Sequence, residues 1–459
     1  MHPIYSRLIM SKDIRIKNGL SIKIKGAAEN IVKKAVFPKS ISLNPNDFHL
    51  ITPKMVVKIG DNLKAGDVVF YSKDNQDMKF CSPVSGNVKD IVRGQKRKIT
   101  EIIIDTDLLQ KSKKFKTSKF EDFKREDIIL SLLESGCWPF INQRPYDIIA
   151  NPSDTPKSIF ISTFNTAPIS ADIQIVLDDQ KNEFITGIKV LKKLTNGSLN
   201  ICVEKGNQTF INEIKDVVIH NVSGPHPAGN VGVQIHHIDP INSGEKVWTI
   251  NPEDVAIIGR FFLTGNYTPL RTIAISGPPV KYPQYYKTIA GSKLSELIND
   301  AGVNDDLLRF INGDVLSGKT VDKDNYLGFY NNTFSVLREG NHYNMFGWIP
   351  FINNKVPSIY KTSFSWLFPN KKYDLDTNMN GEERAFVVTG EMEKVFPMDI
   401  LPMQLLKECM IGDIEKMENL GIYEVAPEDF SLIDYSSSSK IEAQQIIRKG
   451  LDLMILEVG

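Results

Sequence analysis

The chain has 459 residues, 41% hydrophobic and 24% charged, an ordinary globular composition that is too long for one core and predicts roughly three or four domains. Lys plus Arg equals Asp plus Glu at 55 each, so no global field favours nucleic acid, which is excluded as a partner, or an anionic membrane. No stretch approaches the roughly 18–20 apolar residues that span a bilayer. The first ten residues lack the apolar core of a signal peptide, and Met10 offers an alternative start. A cytosolic chain, or one docked on a membrane partner from the cytosolic side, is therefore expected.

In chain order, residues 14–24 alternate in polarity around Asn18-Gly19, which predicts a hairpin. Residues 39–106 are turn-rich and strand-like, with Val56–Ile59, Val68–Tyr71 and Cys81–Val88 separated by Gly and Pro, which predicts a small all-β sandwich. Gly60-Asp61, Gly66-Asp67-x-Val69 and Ser82-Pro83-Val84-Ser85-Gly86-x-Val88 resemble the barrel-sandwich fold of biotinyl and lipoyl domains. The position of their swinging-arm lysine is Asn75 here, with Lys73 and Lys79 out of place, so a carrier role is not expected. The lysine-rich run 111–119 reads as a solvated linker.

Apolar spacing predicts a helix over 125–136 that ends on Gly136. Cys137 to Tyr146 then reads as an irregular aromatic loop. Ser158–Ser162, a helix from Gln180 to Leu194 stopped by Asn196-Gly197, and Leu199–Val203 form a strand–helix–strand unit, hence a parallel sheet. Val217–Ile219 delivers the chain into a histidine-rich segment. Residues 245–250 and 270–276 read as strands, 292–298 as a short helix capped by Ser292, and 310–318 as a turn-rich β segment, so 270–338 suggests a β-grasp-like module. From about 395 the pattern is helical (400–410, 413–420 and 441–455), punctuated by Gly412 and Gly421, with Ser436–Ser439 a polar loop before the last helix.

Four of seven histidines lie in one run, His220, His226, His236 and His237, broken by Gly224, Pro225, Pro227 and Gly229. These breakers predict shaped backbone rather than regular helix. Three readings compete: a metal site, a proton or ligand site beside a redox molecule, and loop-capping imidazoles that pack an interface. The spacing matches no standard ligand pattern, which disfavours metal. Two prolines remove donors from Gly224–Gly229, which disfavours a phosphate cradle. Cys81, Cys137, Cys202 and Cys409 are scattered without a Cys-x-x-Cys pair, so buried, reduced thiols are expected rather than a cluster. The adjacent acids Asp178-Asp179 and Glu382-Glu383 read as solvated caps.

The run Ser223–Gly229, Gln234–Pro240, then Leu263-Thr-Gly265-x-Tyr267, Lys372–Ala385, Phe396–Pro402 and Gly412-Asp413 resembles the A subunit of the bacterial Na+-translocating NADH:quinone oxidoreductase, from about residue 14 onward. The resemblance implies an α+β multidomain chain. Its parts would be an N-terminal hairpin segment (1–38), a barrel-sandwich domain (39–110), a Rossmann-like α/β domain (125–268), a β-grasp-like SLBB module (269–338), a connecting segment (339–394) and a C-terminal helical domain (395–459). It also implies a peripheral subunit on the cytoplasmic face of the inner membrane. The whole complex is a translocase that oxidises NADH, reduces quinone (ubiquinone or another) and exports sodium. The other five subunits, above all a membrane subunit, would be its partners and would carry the flavins and iron centres.

Distant similarity extends to the C subunit of the Rnf electron-transfer complexes and to the flavin- and NADH-binding subunit of complex I. Their glycine-rich flavin loop corresponds here to Ser135–Tyr146, with a single glycine, and their cluster cysteines to Ser436–Ser439. No tightly bound cofactor and no metal are therefore expected, and the isolated chain is not expected to be catalytic. Two roles remain open. The chain contributes to quinone reduction or its docking, with Trp138, Phe140, Gly224, His226, Pro227, Gly229 and His236 as candidate quinone contacts. Alternatively it is a scaffold whose redox domains are relics without ligand.

Overall fold

The computed structural model describes residues 10–34, 37–107, 109–303, 307–343, 356–357, 364–387 and 390–459. The reading of residues 1–9 and parts of the 339–394 segment lie outside these.

Two short strands come first, β1 (Asp13–Arg15) and β2 (Val32–Lys34). They do not make the hairpin that Asn18-Gly19 predicted. β1 pairs in parallel with a distant strand at residues 221–223, and β2 in parallel with 285–287. Gly19 (φ +139°) belongs to an extended strap: Leu20 N donates to His226 O at 2.9 Å, and a Cβ on Gly19 would lie 2.2 Å from that oxygen. Its freedom serves close approach, not a turn.

The sandwich follows as β3 (Ser40–Leu43), β4 (Pro53–Met55), β5 (Asn62–Leu63), β6 (Val68–Ser72), β7 (Lys79–Cys81), β8 (Gly86–Arg93) and β9 (Ile99–Thr106). The sheets β3-β9-β8-β5 and β4-β6-β7 enclose Ile41, Phe70, Phe80, Ile102 and Ile104, as alternation requires. Asn75 sits at the β6–β7 tip, where its side chain accepts from Asp77 N. The lysine run is more than a solvated linker: Lys113 N donates to Ala65 O and Phe115 N to Gly265 O, tying the sandwich to the next unit.

That unit comprises α1 (Arg125–Ser135), β10 (Asn142–Arg144), β11 (Ile148–Ile149), β12 (Ser158–Ser162), α2 (Ile173–Leu177), α3 (Lys181–Lys192), β13 (Ser198–Glu204), β14 (Val218–Ser223), α4 (Val231–Ile238), β15 (Val247–Thr249) and α5 (Pro252–Thr264). The sheet order is β1-β14-β13-β12-β15-β10-β11, parallel from β1 to β15, with β10 and β11 antiparallel. Helix α5 is absent from the sequence reading. Ten of its thirteen residues are buried. Gly187 and Gly259 let α3 and α5 touch through their backbones. A Cβ on Gly187 would lie 2.1 Å from Val255 O, and one on Gly259 1.8 Å from Glu183 O.

The β-grasp-like sheet uses β16 (Leu270–Ser276), β17 (Gln284–Ile289), α6 (Leu294–Asp300), β18 (Leu308–Asn312), β19 (Lys319–Val321) and β20 (Thr333–Arg338), ordered β19-β18-β20-β16-β17-β2. Ser292 does not cap α6; its hydroxyl donates to Ile289 O at 2.6 Å, and Lys293 holds the cap position. The C-terminal helices are α7 (Pro402–Ile411), α8 (Ile414–Asn419), α9 (Ser431–Ser436) and α10 (Ala443–Glu457). Gly412 ends α7 in the left-handed conformation, as its position predicted. The serine loop is not a plain polar loop: Ser436, Ser437 and Ser439 are buried, and Ser439 Oγ donates to Ala385 O at 3.0 Å.

Candidate functional site at the switch point of the parallel sheet

From β12 the chain builds β13 and β14 on one side, and later returns to lay β15 on the other. In open parallel sheets the crevice beyond the carboxyl ends at such a reversal is where ligands bind. A cavity of about 350 Å3 lies there. Ser162 ends β12 in its wall, followed by Phe164, and Thr249 ends β15 there, followed by Ile250 and Asn251. Arg144 enters from β10, His226, Gly229 and Asn230 from the turn after β14, Asp314 and Tyr330 from the β-grasp sheet, and Glu428 from the C-terminal domain. A second cavity of about 360 Å3 shares Asp314 and Tyr330 and is walled mainly by asparagines and hydroxyls.

The four clustered histidines separate into distinct roles. His220, on β14, is fully buried; its Nδ1 accepts from Lys12 N and its Nε2 donates to Asn200 Oδ1, both at 3.2 Å. Burial, aided by Lys12, pushes it down to about 4, so it is a neutral strut between β1 and β13. His236 and His237 are not in shaped loop as the breakers suggested. The prolines stop at Pro227, and the unbroken run from Val231 is free to wind into α4. His236 Nδ1 donates to Glu424 Oε2 at 2.8 Å and its Nε2 accepts from Asp399 N at 2.9 Å, stapling α4 to the C-terminal domain. His237 Nδ1 donates to Val233 O at 2.9 Å. Among the described residues no group of three or more His, Cys, Asp or Glu is arranged to hold a metal ion.

His226 differs from the others. Its Nδ1 meets Thr166 Oγ1 at 3.1 Å, and that oxygen also accepts from Gly229 N at 2.9 Å. The threonine hydroxyl proton then points to Nδ1, which leaves the imidazole proton on Nε2. Nε2 is buried without a partner among the described residues. Burial pushes His226 down to about 4, with Asp314 pulling weakly the other way, so the ring is neutral at pH 7. His226 thus lines the crevice with a neutral ring whose spare Nε2–H is itself buried.

Among the remaining candidates, Gly229 lines the crevice, while Gly224 packs on Ile16. Trp138 and Phe140 are fully buried elsewhere. Trp138 Nε1 donates to Ala150 O at 2.7 Å and its ring meets Trp248 edge-on, and Phe140 stacks on Phe329. The aromatic loop is thus a core plug, and neither ring faces the crevice.

Sequence reading missed Arg144, Glu428 and Asp429. Arg144 is 1% exposed; its Nη1 donates to Asp429 Oδ2 at 2.9 Å and its Nη2 to Glu428 Oε1 at 2.7 Å. Gly232 on α4 makes room for them, since a Cβ there would lie 2.5 Å from Asp429 Oδ2 and 2.6 Å from Arg144 Nη1. The adjacent acids after Pro427 were the available signal, but their partner lies 284 residues away.

With this geometry in place, similarity to known proteins adds the biological frame. The family models for the NqrA N-terminal barrel-sandwich hybrid domain, second alpha/beta domain and C-terminal domain match residues 14–107, 123–267 and 272–323. The A subunit of the Na+-translocating NADH-quinone reductase from Marinomonas sp. is 35% identical over 96% of this chain and 99% of its own length. The chain belongs to the NqrA family, the A subunits of this reductase. The Hahella chejuensis relative is 34% identical over 95% of this chain and 98% of its own, and that of Vibrio campbellii 32% over 97% and 100%. An NAD+-reducing NiFe-hydrogenase structure overlays on 74% of this chain and 63% of its own with a TM-score of 0.39 and 11% identity, too loosely to carry an argument. As a member of the NqrA family, the chain is one part of a sodium-translocating reductase, and among its described residues no helix is long and apolar enough to cross a membrane.

Proposed function

We propose that this subunit serves the quinone-reduction step of its complex by docking a quinone headgroup in the switch-point crevice. The relatives' names supply the ligand class, an NADH-quinone reductase. The observation that carries the reading is the switch-point crevice itself, lined by apolar side chains and by His226, a neutral imidazole whose buried Nε2–H has no partner among the described residues. A quinone carbonyl is an acceptor without charge and suits that donor. Phe164, Ile173, Val231, Ile250 and Pro252 supply apolar wall for the ring, and about 350 Å3 is within the range of small-ligand sites. The chain works as a peripheral component on the cytoplasmic face, and its five partners include a membrane subunit. Flavins and iron centres in those partners handle the electrons, and this chain holds no tightly bound cofactor.

The test is saturable binding of decylubiquinone to the full-length chain, followed by tryptophan fluorescence. His226→Ala is expected to weaken it about tenfold, the worth of one buried hydrogen bond. Absence of saturable binding, with unchanged quinone turnover by complexes carrying His226→Ala, would sink the proposal. One observation favours the alternative of a pure scaffold: His220, His236 and the N-terminal strap are all used to hold domains together.

A further inference from the structure

Residues 22–25 and 371–375 run side by side. Ile24 and Tyr373 form a parallel bridge, with Lys25 N donating to Tyr373 O at 2.9 Å and Tyr373 N to Lys23 O at 2.8 Å. Ile22, Ile24, Tyr373 and Leu375 are buried, so alternation sends Lys23, Lys25 and Lys372 to the outer face, where all three are exposed. Lys371 adds a fourth cation, held over the Tyr373 ring at 5.0 Å. Among the described residues neither Lys25 nor Lys372 meets an acid, and Asp374, on the same face, is matched by Arg338 at 2.7 Å.

Just before these lysines stand Trp366, Leu367 and Phe368, three successive large apolar side chains that are 54%, 52% and 62% exposed. Lys23 Nζ donates to Pro369 O at 2.5 Å, which seats this knuckle against the lysine face. A single exposed apolar residue needs no explanation, but three in a row beside a cluster of cations form an amphipathic surface. The exposed pair Met410-Ile411 at the end of α7 differs, because Asp413 and Glu415 follow it and an anionic surface would repel them.

We infer that this knuckle is a lipid-contacting wedge: Trp366, Leu367 and Phe368 enter the interface of an anionic bilayer, while Lys23, Lys25, Lys371 and Lys372 meet its phosphates. Charge complementarity selects that occupant. Tryptophan and phenylalanine rings suit the boundary between headgroups and acyl chains, where an indole N–H still finds a polar partner. Lysine stems let the ammonium groups reach the headgroups, and each charge adds attraction to an anionic leaflet. A small apolar insertion or a few charges alone bind marginally, and the two together give a stable contact. The net charge of zero does not oppose this, because salt confines the attraction to charges within about 10 Å of the surface. The wedge gives the peripheral placement proposed above a surface of its own, and it does not depend on the quinone crevice.

The experiment sediments the full-length chain with vesicles of equal parts phosphatidylglycerol and phosphatidylcholine, and with phosphatidylcholine alone. Binding to the anionic vesicles is expected to be about tenfold or more tighter than to the neutral ones and to weaken with added salt. Lys25→Gln together with Lys372→Gln should weaken it about twentyfold, roughly fivefold for each charge removed. Trp366→Ser together with Phe368→Ser should weaken it about tenfold or more, with thermal melts unchanged because both side chains are exposed. Lipids brominated on their acyl chains should quench tryptophan fluorescence. Trp366→Phe should remove that quenching and keep binding within a few-fold, since Trp138 and Trp248 are buried. Equal binding to both vesicles, full binding by either double variant, or quenching that persists in Trp366→Phe overturns the wedge and leaves the quinone site standing. A folded chain that sediments with neither vesicle overturns it as well, the result expected if a protein covers this face.

Discussion

Two buried arginines in this chain each face a pair of successive acids, and they have opposite fates. Arg271 lies between Glu253 and Asp254, with contacts at 3.4 and 2.6 Å, and all three side chains are sealed to 1% exposure or less. Hydrogen bonds tie much of the cluster down: Arg271 donates twice to Phe329 O, and Glu253 Oε1 accepts from Thr272 N, while Asp254 Oδ1 has only its ion pair with Arg271. Arg144 has the same composition around it, but its Nε is unpartnered and Glu428 opens onto a cavity. A charge cluster sealed from solvent on every member acts as a structural joint. One with an acid that opens onto a cavity leaves an acceptor within reach of a ligand.

The comparison is most exposed to failure in the arginines themselves. Arg271→Ala should destabilise the fold by about 3–5 kcal/mol, because two carboxylates are left buried without a counter-charge. Arg144→Ala should cost less, about 2–3 kcal/mol, since Glu428 is partly solvated; equal shifts in urea midpoints would erase the distinction. Gly232→Ala pushes a methyl between Arg144 and Asp429 and should cost about 1–3 kcal/mol, along with quinone affinity, whereas an alanine at the solvent-open Gly206 has no such contact.

Acid sharpens the picture of the histidines. His220 and His226 are held near 4 in the fold, while the unfolded chain takes protons near 6.5. Their stabilisation is complete above about 6.5 and is lost as pH falls toward 4, on the order of 2 kcal/mol for each. Thermal melts of His226→Gln should show a shallower acid slope than wild type. The smallest effect is expected for His236→Ala, about 1 kcal/mol from two lost hydrogen bonds at a partly exposed joint, with decylubiquinone affinity unchanged.

Local features were readable where local physics decides them. The sandwich strands alternate, α1 and α7 end on glycines, and the β12–α3–β13 crossover follows from its spacing. Readings failed where a tertiary neighbour overrode the local signal. Asn18-Gly19, for example, is drawn out against His226 O instead of turning. Residues 137–146 read as an irregular aromatic loop, and Trp138 and Phe140 in it are among the most buried side chains.

The sequence by itself determined the family, the type of many elements and the absence of a Cys-x-x-Cys pair or a phosphate-binding glycine motif. Those properties reside in residue identity and short spacing. Only the tertiary structure decided which of four clustered histidines retains an unused donor, and which acid opens onto the crevice. His226 is set by Thr166, and Glu428 by an arginine 284 residues distant. Hydrogen-bond satisfaction is a property of what surrounds a group after burial, and a linear pattern does not contain it.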